Sequence, residues 1–187
     1  VPLNTIPLPY GLRDVRITPF TDPTNTAYAA LSIDLPNSQT FQFTDAEDFE
    51  DLRGDDKLQA SHGKGTEPTW ELGAGGISLE AWASIAGGTV TTTGVTPNQI
   101  KTYRKLITDI RPYFKVEGRA ISDSGGDFHP VLYRCKATGD LNGSLEDGKF
   151  WITGAKGKGY SLPATIGSIP ADSVYDLVQN ETAVAIP

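Results

Sequence analysis

Ser124 lies in the run Ser122-Asp123-Ser124-Gly125-Gly126, and His62 and Asp109 precede it in the chain. The residue types for a hydroxyl nucleophile, its base and an orienting carboxylate are therefore all present. A nucleophile of this kind needs an oxyanion-hole glycine where Ser122 stands, and His62 sits in Ser-His-Gly-Lys-Gly, a setting that does not build such a base. Asp, Ser and paired Gly are also what a chain reversal uses, since they tolerate positive φ or bond to nearby backbone. A turn is the expectation, and no catalytic residue is assigned.

Other candidate chemistry is equally sparse. His62 and His129 occur singly, without the spacing of zinc ligands, so neither a metal site nor any cofactor is expected. Cys135 is the single cysteine; it can form no intrachain disulfide, and its place in an alternating segment predicts a small buried hydrophobe. Seven acidic residues fall between Asp45 and Asp56, but the Ca²⁺-loop pattern is missing, which favours a solvated face or a contact between subunits. Trp70, Trp82 and Trp151 have the chemistry of a sugar-stacking platform, against the simpler reading of core or interface aromatics. No glycine-rich phosphate loop joins a strand to a helix.

The elements that position these residues are mostly strands. Pro112 to Gly139 reads as one long antiparallel hairpin: Phe114, Val116 and Ala120 alternate with Lys115, Glu117 and Arg119, and Val131, Tyr133, Cys135 and Ala137 with Leu132, Arg134 and Lys136. Further strands are predicted over 12–19, 28–35, around Phe41 and Phe43, on both sides of a turn near Gly54 with 57–62 returning, and over 69–72, 89–93, 100–108, 143–153 and 175–186. Residues 64–68 and 156–163 read as loops. The clearest helix starts at Ser78 as N-cap and stops at Gly87-Gly88, with Leu79, Trp82, Ala83, Ile85 and Ala86 on one side. Three prolines in the first ten residues predict an extended N-terminal arm over 1–11, lying on its own domain or on a neighbour, followed by a single domain over 12–187.

The fold class is thus all-β, a β-sandwich or barrel of about ten strands with one flanking α-helix. With 187 residues the chain is long enough for one core without a disulfide or metal staple. Its formal charge of −7 argues against a broad basic surface for nucleic acid. Neither a signal-peptide pattern nor a long apolar run is present, so a cytoplasmic origin and no membrane anchor are expected.

Whole segments of the chain resemble the major tail tube protein of phages with long non-contractile tails, of the actinobacterial type: 47–57, EDFEDLRGDDK; 70–90, WELGAGGISLEAWASIAGGTV; 111–140, RPYFKVEGRAISDSGGDFHPVLYRCKATGD; and 178–186, VQNETAVAI. The resemblance implies a structural virion protein, not an enzyme. Its subunits form hexameric rings stacked into a tube around a channel for DNA, with tape measure, tail terminator and tail tip proteins as further partners. It also implies a location in the virion tail. Unpaired sheet edges would join copies in the ring. Candidates for contacts between rings are the arm and the acidic residues Glu50, Asp51, Asp55 and Asp56, opposite Lys156 and Lys158; candidates for the lumen are Lys115, Glu117, Arg119, Arg134 and Lys136. The alternative is a carbohydrate- or receptor-binding module of a virion appendage, with a tube protein of a secretion system behind it.

Overall fold

The computed structural model describes residues 6–35, 37–54, 57–76 and 78–186. Among them the protein is all-β with one helix. The elements are β1 (Pro9–Pro19), β2 (Ile33–Asp34), β3 (Ser38–Thr44), β4 (Glu47–Gly54), β5 (Lys57–Thr66), β6 (Thr69–Gly75), α1 (Leu79–Ala86), β7 (Thr89–Thr93), β8 (Ile100–Arg104), β9 (Phe114–Ser122), β10 (Asp127–Asn142), β11 (Ile152–Gly159) and β12 (Tyr175–Asn180).

Eight strands form one sheet in the order β2-β1-β9-β10-β11-β6-β3, with β12 also on β10. The long β9–β10 hairpin is its spine. β10 runs for 16 residues, and one of its edges is shared: β12 pairs with Asp127 to Leu132, and β11 with Cys135 to Asn142. The sheet curls until β3 packs against β1. Gly118 on β9 makes this curl possible, because a Cβ there would stand 2.4 Å from the Phe41 ring of β3.

Inside the curl, Val15, Ile17, Trp70, Leu72, Phe114, Val116, Leu132 and Cys135 form the main core. Helix α1 closes it by adding Ala81 and Ile85 beside Leu35, Ala74 and Ala155. The helix begins as expected, with Ser78 Oγ accepting from Ala81 N–H at 3.3 Å. At its C-terminus the carbonyls that a helix leaves unsatisfied receive the Lys105 ammonium at Ala86 and the Tyr103 hydroxyl at Gly87. This use of Lys105, with Asp109 Oδ2 accepting from Leu106 N–H, turns residues 105–108 away from the strand predicted there.

A β-bulge between Leu132 and Cys135 alters the predicted faces of β10. Leu132 joins Cys135 and Ala137 in the main core, whereas Val131 and Tyr133 face outward into a second cluster with Leu162, Phe20, Tyr28, Ile166 and Ile169. Cys135 is fully buried as expected, and that burial pushes its thiol well above the usual pKa. Of the strand predicted over 28–35 only β2 forms; Tyr28 instead stacks on Phe20 at 4.7 Å and donates its hydroxyl to Tyr133 O.

The largest correction concerns β11. Residues 143–151 form a loop, and Lys156 to Gly159, read as loop from its glycines, is strand. Those glycines are required by packing: a Cβ on Gly157 would lie 2.1 Å from the Lys136 carbonyl oxygen and 2.5 Å from the Trp70 ring. Gly157→Ala should therefore destabilise the fold by about 3 kcal/mol in a denaturant titration, although alanine is ordinarily the better tolerated residue in a strand. In the same way Lys64 to Thr66 continue β5, and the last strand stops at Asn180.

Candidate functional site

The β1–β9–β10–β12 part of the sheet ends in two open edges. β12 pairs only with β10 among the described residues, so its outer edge from Tyr175 to Asn180 has no ladder. β1 pairs outward with β2 only at Arg16 and Ile17, with two further bonds, from Leu35 N–H to Val15 O and from Ala29 N–H to Pro19 O. Tyr10 to Asp14 are free of strand pairing on that side among the described residues. Each neighbouring pair in this group is antiparallel. A β12 edge laid on the β1 edge of another copy would thus continue the same alternation. Two bulges, at Gly11 and near Arg13, interrupt the β1 ladder and twist that edge. Leu177 and Val178 on β12 are 51% and 38% exposed.

The outer face of these strands carries charge and is largely covered. Lys115 Nζ lies 2.8 Å from Glu117 Oε2 under the ring of Tyr28, and both side chains are nearly buried. Asp127 is fully buried and accepts from Arg119 Nε at 2.9 Å, Asn180 Nδ2 at 2.8 Å and Val184 N–H at 2.7 Å, with His129 Nε2 3.0 Å away. Burial pushes the Asp127 carboxyl up, but these donors outweigh it and hold the group at about 2. Beyond β12, residues 181–186 form a strap over this face; Arg16 Nη1 donates to Ile186 O at 2.6 Å, and Ile186 is buried. Arg134 and Lys136 instead sit over the ring of Tyr113 at 4.1 and 4.7 Å. Of the five lumen candidates, then, Lys115, Glu117 and Arg119 lie beneath covering segments, and Arg134 and Lys136 lie beside an aromatic clasp.

The β4–β5 hairpin stands apart from the main sheet. Its turn was expected near Gly54, and the strands meet there; Asp55 and Asp56 lie outside the described residues. Glu50 pairs with Lys64 at 3.0 Å, and Asp51 accepts from Ser61 Oγ at 2.9 Å, so both acids are engaged along the ribbon. Between the charges Phe49, Leu52 and Leu58 are each more than half exposed. On β11, Lys156 meets its cross-strand partner Glu71 at 3.0 Å and Lys158 meets Glu67 at 2.9 Å. The Glu67 carboxylate raises the Lys158 pKa. The described part of the N-terminal arm lies on its own domain: Leu8 N–H donates to Ser122 Oγ, Asp123 N–H to Leu8 O, and β1 already begins at Pro9.

The residues with nucleophilic potential are not brought together. Ser124 Oγ bonds Ser122 Oγ at 2.8 Å and Ile6 O at 3.1 Å, His62 lies opposite Glu50 in the register of the hairpin, and Asp109 caps a turn. Trp70 is a core residue and cannot share a surface platform with Trp151. Sequence reasoning missed Asp127 and the strap it holds; the signal was an acid beside His129 in a segment otherwise explained as a turn. No helix among the described residues is long and apolar enough to cross a membrane. The chain matches no protein-family model and no curated protein sequence.

Proposed function

We propose that the chain is the subunit of a phage tail tube, closing into hexameric rings that stack around a channel for DNA. The observation that carries this reading is the pair of open, antiparallel-compatible edges on opposite sides of one continuous four-stranded unit. Such a pair joins copies head to tail, and head-to-tail contacts close into rings when the rotation per copy allows. Both edges are occupied in a closed ring, which removes the aggregation hazard each poses on a lone subunit.

The β4–β5 ribbon supports the same reading. A two-stranded ribbon is marginal alone, and Phe49, Leu52 and Leu58 gain burial once a neighbouring copy covers them, at roughly 25 cal/mol per Å². Glu50 and Asp51 on the ribbon and Lys156 and Lys158 on the next ring would exchange their partners within the subunit for one another, which fixes register more than strength. In this arrangement the face bearing Lys115, Glu117 and Arg119 turns to the channel with its covering layer outermost. That layer, residues 20–28 and 160–186, contains Asp22, Asp172, Asp176 and Glu181 and no lysine or arginine. A wall of this sign keeps a passing polyanion from sticking. Tape measure, terminator and tip proteins would be the partners at the ends of the tube.

Electron microscopy of the concentrated protein tests the proposal: hollow stacked rings are the expected result, and dispersed particles under every assembly condition would refute it. Replacing Glu50, Asp51, Asp55 and Asp56 together by Ser should leave the melting temperature within about 2 °C while shortening the tubes several-fold. Tubes of undiminished length would remove the ribbon from the contact between rings.

A further inference from the structure

A second surface feature is lined by no residue of β1 or β12. An open cavity of about 500 Å³ is lined by Asn37, Gln39, Gly75, Gly76, Phe150 and Trp151, where the start of β3, the end of β6 and the loop before β11 meet. Its indole is fixed in advance. Trp151 Nε1–H donates to Thr153 Oγ1 at 3.0 Å, the Thr153 hydroxyl donates to Gly76 O at 2.9 Å, and Gly76 N–H donates to Trp151 O at 2.8 Å. Gly143 packs directly on the ring, since a Cβ there would stand 2.1 Å from Cζ2. Phe150 beside it is 94% exposed.

The opposite wall supplies carboxamides. Asn37 Nδ2 donates to Gly75 O at 3.3 Å, which orients the side chain. The Gln39 amide has no hydrogen-bond partner among the described residues. Gly75 and Gly76 keep the floor low, and a Cβ on Gly76 would meet nothing within 4 Å. No charged side chain lines the cavity. A pre-set aromatic plane suits the C–H face of a pyranose ring, carboxamides suit its hydroxyls in either donor or acceptor sense, and the lack of charge disfavours phosphates and acidic sugars. We propose that this cavity binds a neutral pyranose unit of a glycan, with Trp151 and Phe150 stacking and Gln39 and Asn37 reading hydroxyls.

The test is saturation-transfer NMR on the unassembled protein with maltotriose, cellotriose and chitotriose. At least one should bind saturably with a dissociation constant of about 1 mM, and Trp151→Ala should weaken it at least tenfold. Trp151 supports its loop, so the exposed positions give the decisive variants: Gln39→Ala and Phe150→Ala should each weaken binding at least threefold with unchanged melting. Absence of saturable binding by all three sugars, or binding that survives both exposed substitutions, overturns the site. Either outcome leaves the tube reading untouched, because tube formation is scored separately by microscopy.

Discussion

Leu177→Pro and Val178→Pro should give opposite results although they are neighbours on one strand. Successive residues of a strand point their N–H groups to opposite sides, so one of the two serves the ladder to β10 and the other faces outward. Proline removes the N–H in either case. At the inward position it should cost about 3 kcal/mol of stability, read by denaturant unfolding. At the outward position the subunit should remain folded, as prolines on free edges do, and assembly into rings should be lost altogether. Size-exclusion chromatography with microscopy reads the second effect. If both variants still form rings, β12 is not the joining edge.

Asp127→Ala should be the most damaging single change in the polar face. It leaves the Arg119 guanidinium, the Asn180 amide and the Val184 N–H without their shared acceptor. Removing one member of a buried charged group typically costs about 3–5 kcal/mol. Residues 181–186 should also lose protection, visible as faster amide exchange at Val184 and Ile186 while β9 keeps its own. Acid should mimic the effect in the wild-type protein. The carboxyl is held at about 2, below the ordinary 3.8. Its contribution is complete above pH 4 and disappears as pH falls through 2, a loss of about 2 kcal/mol. Asp127→Asn should be flatter by that amount over the same interval, and an equal slope in both proteins would show that Asp127 is not the group responsible.

The β9–β10 hairpin, the helix with its Ser78 cap and the turn near Gly54 were legible because each has a local cause: alternation, a capping hydroxyl, turn chemistry. β11 was not, because Gly157 and Gly159 look like breakers until the Trp70 ring and Pro68 are placed above them. The outward turn of Val131 and Tyr133 depends on a bulge whose cause is tertiary. The open edges of β1 and β12 are a property of strand order, which alternation does not encode. The Asp127 cluster joins residues 119, 127, 129, 180 and 184, and only the fold makes them neighbours.

Strand order also sets a sequence of events in time. β1 waits for β9, whose residues lie about a hundred positions further along the chain, so the sheet is dominated by distant pairings and should fold slowly. β12 comes after every other strand and has nothing to pair with until β10 is in place. The edge proposed to join one copy to the next therefore exists only once β10 is in place. A chain in which β10 has not formed cannot offer it, so under the proposed assembly a growing ring would admit only subunits whose β10–β12 pairing is complete.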